Sequence, residues 1–326
     1  MSALIAYLFA AIARSTPLLM GTTGEIMTEK GGSLNLGVEG MMAVGAITGY
    51  LAAVTFDNLL LGIVASFIGA ALCGLLYAFL TVTLQSNQNV TGIALSPFGV
   101  ALYKFIGNRM TQWDGGFPVA SKFPHLTGVL RIQGIPVLRD IPYVGPLLFS
   151  HNLLVYFAVC VSVLCWLYIF KTKNGLKLRA VGENPSAADA AGVNVGRYRY
   201  IHDIIGGGIC GIGGLYLGLV TNGSWNESWI NGTGWIAVAL VIFANWNPLI
   251  AIFGSFFFGM LQELTVRKGN LVEEFPGLSF LNDIPDDFYN LLPFAFTALV
   301  LILAGVLKRK NAEPSGLGLN YFREER

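Results

Sequence analysis

The sequence predicts an all-α polytopic membrane protein with about 8–10 transmembrane helices, some of them broken. The 326 residues are 54% hydrophobic and only 12% charged, whereas a soluble domain carries about 25% charged residues. The mean hydropathy is +0.62, and the shortage of charge extends along most of the chain. The net charge of +1 gives no reason to expect nucleic acid as a partner. Membrane lipids are the expected surroundings.

Eight apolar segments reach or approach the length of a membrane crossing, which needs about 20 mostly apolar residues. They are 3–20, 36–54, 59–84, 91–108, 150–170, 200–222, 233–264 and 288–307. The segment 233–264 is longer than one crossing and is interrupted by Asn245-Trp246-Asn247-Pro248. Because proline disrupts the preceding helical turn, we expect two short crossings or half-helices there. The total is then about nine helices.

The loops predict the orientation of these helices. The segment 171–199 carries six Lys or Arg residues, and 308–326 carries five. The segment 270–287 carries none, but it has five acidic residues. Because Lys and Arg mark the cytoplasmic side, we expect 171–199 to be a cytoplasmic loop and 308–326 a cytoplasmic tail. The segments 270–287 and 109–149 then become external loops.

The stretch 35–42, NLGVEGMM, places a carboxylate at the start of an apolar segment. The Asn35 side chain can cap a helix that begins near Leu36, and Glu39 then lies near the positive end of the helix dipole. An ionisable group at membrane depth indicates a function or a buried partner. Glu39 could be solvated at the interface, could accept hydrogen bonds from backbone donors, or could contact a substrate.

The stretch 85–95, QSNQNVTGIAL, concentrates amide side chains between two apolar segments. Gln85, Asn87, Gln88 and Asn89 fall within five residues, and Thr91 follows. Amides can hydrogen-bond neutral polar ligands such as sugar hydroxyls or nucleobase edges. The alternative is an ordinary polar turn between two helices.

The stretch 179–199, RAVGENPSAADAAGVNVGRYR, predicts a short helix inside the basic loop. Asn184 is a favourable N-cap and Pro185 suits the first helical position, while Gly192 fits the left-handed position that ends a helix. We expect a helix of about seven residues. Its small side chains would suit insertion into a groove of a partner protein, although a simple connecting loop would also fit.

Several enzyme classes are excluded by missing motifs. The chain contains no Gly-Lys dipeptide, so it has no phosphate-binding loop of the G-x-x-x-x-G-K-[ST] type. It also has no G-x-S-x-G and no H-E-x-x-H motif, and its three histidines lack metal-site spacing. We therefore expect neither enzymatic activity nor a cofactor or metal in this chain.

These stretches together resemble one family. NLGVEGMM, NQNVTGIAL and RAVGENPSAADAAGVNVGRYR are similar to signatures of permease subunits of bacterial ABC importers for ribose, simple sugars and branched-chain amino acids, most closely the nucleoside-uptake branch. GWIAVALVIFANWNP at 234–248 and FGMLQ at 258–262 also match, and the resemblance runs from about Thr16 to Lys308. Asn89 departs from the family, which usually has Val or Ile there, and 109–149 follows it only loosely.

The resemblance implies a single transmembrane permease domain over 1–326, located in the inner (cytoplasmic) membrane. It implies three partners: a second homologous permease, an ATP-binding subunit that holds ATP and Mg²⁺, and an extracytoplasmic solute-binding lipoprotein. It also implies that the short helix docks into the ATPase as a coupling helix. The residues expected to form this coupling site are Gly182, Glu183, Asn184, Pro185, Ala187, Ala188, Ala191 and Gly192.

The function implied is ATP-driven import of nucleosides by alternating access. The translocation path is expected to include Asn35, Glu39, Asn87, Gln88, Asn89 and Thr91, with Glu39 near the region where half-helices meet. Simple sugars or riboflavin are alternative solutes. An ion-coupled secondary transporter is a further alternative, in which Glu39 and Asp203 would be coupling groups.

Overall fold

A computed structural model describes residues 2–112, 116–130, 134, 138–306 and 313–322. In these ranges the chain forms fourteen α-helices and no strand. Seven helical segments of the described part are long and apolar enough to cross a membrane. The predicted all-α polytopic fold is confirmed, and the protein is a multi-pass protein of the cell membrane.

The helices follow one another with short connections. They are α1 Ala3–Glu29, α2 Val38–Thr55, α3 Leu59–Ala78, α4 Gln88–Thr111, α5 Pro124–Leu130, α6 Val144–Leu148, α7 Leu153–Lys171, α8 Lys173–Glu183, α9 Pro185–Ala190, α10 Val195–Tyr216, α11 Thr233–Phe243, α12 Pro248–Glu274, α13 Phe280–Asp283 and α14 Asp286–Val306. The π-helical turns Phe79–Thr83 and Leu217–Asn222 extend α3 and α10.

The predicted break in 233–264 is confirmed, but one of its two halves is longer than expected. The short α11 has 11 residues, whereas α12 has 27 and is a full crossing. The side chain of Asn247 caps α12 by accepting the Leu249 N–H at 3.0 Å, and Pro248 occupies its first turn. The Asn-Pro pair therefore causes the break, because Asn247 caps a new helix and Pro248 suits its first position.

The first crossing is also longer than predicted. We expected a helix over 3–20, but α1 continues to Glu29 and carries Glu25 and Glu29 inside the protein. The predicted helix stopped at residue 20 because the apolar segment ends there, and charged residues at a helix end usually face water. Here both carboxylates are buried and hydrogen-bonded to neighbouring segments.

Small residues bring the central helices α1, α2, α3 and α10 together. A Cβ atom added to Gly45 of α2 would collide with the backbone of Gly211 of α10, and one on Gly24 of α1 would collide with the Gly206 carbonyl. Without a hydrophobic drive between helices in lipid, such close backbone approach is a main source of packing energy. The glycines of α10 therefore lie at helix–helix contacts.

The connections gather at two opposite ends of the bundle. At one end, Gly316 N donates to Gly182 O at 2.8 Å and Gly318 N to Gly32 O at 3.2 Å. At the other end, Ala120 N donates to Gly223 O at 2.9 Å. The tail segment 313–322 and the loop 171–199 therefore share one end, as the prediction for the loop 171–199 and the tail 308–326 requires. Residues 307–312 and 323–326 of the predicted tail lie outside the described residues.

Candidate functional site

The segment that precedes α2 enters the interior of the bundle. Asn35 donates from its backbone N and its Nδ2 to the Glu25 carboxylate, at 3.2 and 3.1 Å. A Cβ atom on Gly21 would lie 3.8 Å from Val38 Cγ1, so α2 begins beside a residue eight positions before the end of α1. At 1.5 Å per residue this is about 12 Å along α1. The start of α2 is therefore buried.

Asn35 does not cap α2 as predicted. The helix begins at Val38 with Gly37 in the N-cap position, which has no side-chain cap. Asn35 Oδ1 instead accepts the Gly37 N–H at 2.9 Å, which is a local turn of the kind that asparagine favours. The prediction was wrong because the helix begins at Val38, three residues after Asn35, so Asn35 Oδ1 reaches only the Gly37 N–H in the turn that precedes the helix.

Glu39 joins the beginnings of two helices. It lies in the first turn of α2 and is 8% exposed. Its Oε1 accepts the N–H of Gly232 at 2.7 Å, and its Oε2 accepts the N–H of Gly234 at 2.6 Å. Those two donors belong to the start of α11, whose N-cap Gly232 has no side chain to satisfy them.

The contact needs glycine and suits a carboxylate. A Cβ atom on Gly234 would collide with the Glu39 backbone, so only glycine permits this approach. The first N–H groups of a helix have no partner within the helix and carry partial positive charge. The Glu39 carboxylate therefore lies between the N-termini of α2 and α11 inside the bundle. It accepts hydrogen bonds from backbone donors, which is one of the three possibilities that the sequence left open for Glu39. Contact between Glu39 and a solute stays a prediction.

The short α11 runs beside α1 from this junction. Thr22 Oγ1 donates to the Ala237 carbonyl at 3.0 Å. Beyond the end of α11, Trp246 Nε1 donates to the Glu29 carboxylate. Both ends of this half-helix are thus held by acidic residues of other elements, Glu39 at the start and Glu29 at the end.

The predicted amides do not share one site. Asn87 caps α4 by accepting the Val90 N–H at 3.1 Å, and Asn89 is exposed. Gln88 is buried: its Oε1 accepts the Leu34 N–H at 2.7 Å, and its Nε2 donates to the tail at Leu319 O, 3.3 Å. Among the described residues, these amides share no hydrogen-bond partner with Glu39.

The other two residues singled out in this stretch, Gln85 and Thr91, make contacts within adjacent turns, and Gln85 also contacts the tail. Gln85 donates from Nε2 to Val82 O at 2.7 Å. Thr91, which is largely buried, donates to Asn87 O at 2.8 Å. The stretch therefore forms a capped turn that is tied to the tail. Its place in a translocation path stays a prediction.

The predicted short helix exists as α9, with six residues instead of about seven. Asn184 Oδ1 accepts the Ala187 N–H at 3.0 Å, and Gly192 has a φ of +81° after the end of the helix. Both capping predictions are confirmed. The cause is local, because the cap, the proline and the terminal glycine each act within one turn.

The eight residues predicted for docking lie at the end of α8, in α9 and in its two flanking turns, and they divide into buried and exposed positions. Gly182 and Ala188 are buried, and Ala188 packs with Val181 and Val195. The residues Glu183, Asn184, Ala187, Ala191 and Gly192 are exposed, and Pro185 is partly exposed. The inner pair therefore anchors the helix, and only the outer side is available to a partner.

The segment 313–322 lies across this end of the protein and binds the end of α8 and α9. Ser315 Oγ donates to the Glu183 carboxylate at 3.0 Å, and Tyr321 Oη donates to Asp189 Oδ2 at 2.8 Å. We call residues 313–322 the tail clasp. Nothing in the composition of this segment predicts these contacts.

The tail clasp also reaches the turns before α2 and α4. Arg199 of α10 donates to Leu319 O at 2.9 Å. Asn320 Nδ2 donates to Gln85 O at 2.7 Å, and Gly318 N donates to Gly32 O at 3.2 Å. The clasp thus connects α9 with the segment that leads to Glu39.

Buried charges surround the same segment. Glu25, Glu29 and Asp203 are all nearly inaccessible, as are Lys30 and Arg199. Ser33 Oγ donates to Asp203 Oδ2 at 3.2 Å. Burial lowers the pKa of Lys30, which follows α1, to about 8, an effect that the charge of Glu183 opposes. Sequence reasoning missed Glu25 and Glu29, because it placed them outside the first crossing.

No metal site is found in the part of the chain that the structure describes. No group of three or more His, Cys, Asp or Glu side chains lies close enough there to hold an ion. The buried carboxylates instead accept hydrogen bonds from Asn, Ser, Trp and backbone donors.

Comparison with known proteins gives a consistent result. Residues 7–306 match the family described as "Branched-chain amino acid transport system / permease component". The nucleoside ABC transporter permease protein NupC of Lactococcus lactis subsp. cremoris is 33% identical over 95% of each chain. The guanosine ABC transporter permease protein NupQ of Bacillus subtilis is 31% identical over 97% of this chain and 96% of its own length.

A third relative carries a sugar in its name. TsgC13 of Haloferax volcanii, provisionally named as a glucose ABC transporter permease protein, is 35% identical over 97% of both chains. No solved structure matches the chain.

Proposed function

The chain belongs to the permease-component family of branched-chain amino acid transport systems, and on this premise we propose that it conducts nucleosides across the cytoplasmic membrane in an ATP-driven importer. It is a transport subunit and not an enzyme. The observation that carries the proposal is the buried junction at Glu39, where α2 and α11 both begin. Broken helices whose N-termini meet inside a membrane bundle are typical of transport sites.

We propose that energy enters from a separate ATPase subunit, which would bind ATP and Mg²⁺. The docking element is the outer side of α9, with Asn184, Ala187, Ala191 and Gly192. These side chains are small, so a groove on the partner could receive the helix without displacing long side chains. A second permease and a solute-binding lipoprotein would complete the importer.

The tail clasp provides a route from α9 to Glu39. A displacement of α9 would act on the tail through Tyr321, and a displacement of the end of α8 would act on it through Ser315. The tail holds the turns that contain Gly32 and Gln88, and Gln88 holds Leu34 immediately before the segment that starts α2. ATP binding can shift this arrangement only by its different affinity for the two states of the importer. The hydrogen bonds of the tail clasp would connect a movement of α9, caused by ATP binding, to the junction at Glu39.

Nucleosides are the solute that the relatives support best, because two of the three relatives compared carry nucleoside or guanosine in their names. The glucose in the name of TsgC13 supports simple sugars as the second candidate. Both solutes would need neutral polar contacts, which this chain can supply from amides and hydroxyl groups.

The test is solute-stimulated ATPase activity of the reconstituted complex, measured with guanosine, uridine, ribose, glucose and riboflavin. We expect stimulation by nucleosides at micromolar concentration and little effect of the free sugars. Stimulation by glucose alone would replace nucleosides with sugars as the cargo. If no ATPase subunit associates with the chain, the importer proposal fails.

A further inference from the structure

A polar cavity of about 560 Å³ lies beside the junction. It is lined by residues of α1, the π-helical turn after α10, the loop 228–231, the start of α11, α12 and α14. Thr233 lines the cavity, and the residues on either side of it, Gly232 and Gly234, donate to Glu39. None of the residues expected for the translocation path, Asn35, Glu39, Asn87, Gln88, Asn89 and Thr91, lines this cavity.

The position of the cavity suits a transport site. Arg14, one of its lining residues, is eleven positions after Ala3 in α1, or about 16 Å along the helix. The hydrocarbon core of a bilayer is about 30 Å thick, so Arg14 lies within the part of α1 that is long and apolar enough to cross the membrane. Part of its wall is the π-helical turn Leu217–Asn222, an element that is frequent at functional sites.

The lining combines aromatic surfaces with neutral hydrogen-bonding groups, as ligand pockets do. The residues that carry this argument are Arg14, Asn222, Trp229, Asn231, Gln262 and Phe294. Among the described lining residues there is no carboxylate, so the cavity does not favour a cationic solute. Amides can both donate and accept, which matches sugar hydroxyls and base edges.

Arg14 is the distinctive group. A guanidinium inside a crossing is costly and indicates a function or a partner. Its Nε atom is buried and has no hydrogen-bond partner among the described residues. An arginine presents paired N–H donors, which fit the O6 and N7 acceptors of a 6-oxopurine, whereas adenine has an amino donor in place of O6.

We infer that this cavity binds the nucleoside and that Arg14 selects 6-oxopurine nucleosides, such as guanosine and inosine, over adenosine. The aromatic residues Trp229 and Phe294 would lie against the base or the apolar face of the sugar. The amides of Asn222, Asn231 and Gln262 would serve the ribose hydroxyls. This inference rests on the proposed transport of nucleosides and specifies where and how the solute is recognised.

The experiment compares Arg14→Gln with the wild type in the complete reconstituted importer. The KM values for guanosine, inosine and adenosine are measured by solute-stimulated ATPase activity. We expect Arg14→Gln to raise the KM for guanosine and inosine about tenfold or more, with a smaller change for adenosine. Gln262→Ala should raise the KM for all three. The matched control is Val266→Ala, one turn further along α12 and 67% exposed.

The outcomes separate the two proposals. If no nucleoside stimulates the wild-type complex, the proposed function itself fails. If nucleosides stimulate it and the ratio of KM values for guanosine and adenosine is unchanged in Arg14→Gln, only the cavity assignment fails. Photo-crosslinking of azidoguanosine to the wild-type complex decides the matter if the variant does not assemble. Label on peptides of α1 or α12 supports the site, and label exclusively elsewhere overturns it.

Discussion

Glu39 Oε2, in the first turn of α2, accepts the backbone N–H of Gly234, in the first turn of α11, at 2.6 Å. The two residues are 195 positions apart, yet the starts of α2 and α11 stabilise each other. The carboxylate satisfies donors that α11 cannot satisfy itself, and the dipoles of both helices stabilise its charge. The junction therefore depends on one acidic residue and on one glycine.

Replacement of Glu39 should weaken the junction. Glu39→Ala leaves the buried N–H of Gly234 and the partly buried N–H of Gly232 without an acceptor, at a cost of about 1–3 kcal/mol for the buried group and less for the other. Glu39→Gln keeps one carbonyl acceptor and should fall between the alanine variant and the wild type. Thermal unfolding in nanodiscs and nucleoside uptake measure the effect. The exposed Glu273→Ala is the control, and equal stability of Glu39→Ala and Glu273→Ala would contradict the structural role.

Replacement of Gly234 by alanine should be equally harmful for a steric reason. The added Cβ would collide with the Glu39 backbone, and neither backbone can move without breaking the hydrogen bonds between them. Gly269→Ala in α12 is the control, because nothing lies within 4 Å of its Cβ position. That change should be neutral or stabilise the helix by up to about 1 kcal/mol. A Gly234→Ala variant with wild-type uptake would show that the contact is dispensable.

The two sides of α9 should respond differently to an added charge. Ala187→Arg changes the exposed side, so we expect loss of ATPase association with little change in the melting temperature. Ala188→Arg changes the buried side and should lower stability by several kcal/mol, since it buries an unpaired charge. Co-purification and thermal unfolding separate the two effects. Ser121→Arg, exposed at the opposite end of the bundle, should leave ATPase association intact.

Loss of the tail clasp should uncouple ATP hydrolysis from transport. Asn320→Ala removes hydrogen bonds to Gln85 O and Ser86 O, which hold the tail to the turn before α4. We expect a lower number of nucleosides moved per ATP, while the ATPase subunit remains bound. The exposed Asn282→Ala is the control. An unchanged ratio of transport to hydrolysis would mean that the clasp does not transmit the motion of α9.

Lys30 should make stability depend on pH at the alkaline side. Burial lowers its pKa in the folded protein to about 8 from a usual value of 10.5, so between these values the unfolded chain binds more protons. The free energy of unfolding should therefore rise with pH through this window. Lys30→Met should remove that part of the dependence. Melting temperatures between pH 7 and pH 10 test it, and parallel profiles of wild type and variant would refute it.

Local sequence signals predicted the parts of the fold that have local causes. The break before α12 follows from Asn247 and Pro248, and α9 follows from Asn184, Pro185 and Gly192. In each case the cap and the helix are adjacent in sequence. The crossings themselves follow from the length of the apolar segments, because lipid requires every backbone group to be paired within a helix.

The contacts that assemble the site have no local signal. Glu39 could be recognised as unusual, but its donors lie in the distant stretch around Gly232 and Gly234, which has no distinctive composition. Glu25 and Glu29 fell outside the predicted first crossing, and their buried partners, Asn35 and Trp246, belong to other segments. The cavity is likewise formed by six segments that meet only in the folded chain.

The most direct test of the account is nucleoside uptake into proteoliposomes that contain the complete importer. Labelled guanosine is supplied with the binding lipoprotein on one side, and ATP is supplied on the other. We predict uptake that requires ATP, persists when ionophores remove proton and sodium gradients, and is lost in Ala187→Arg. Uptake that follows an ion gradient without an ATPase subunit would contradict the account, and it would assign Glu39 and Asp203 to ion coupling instead.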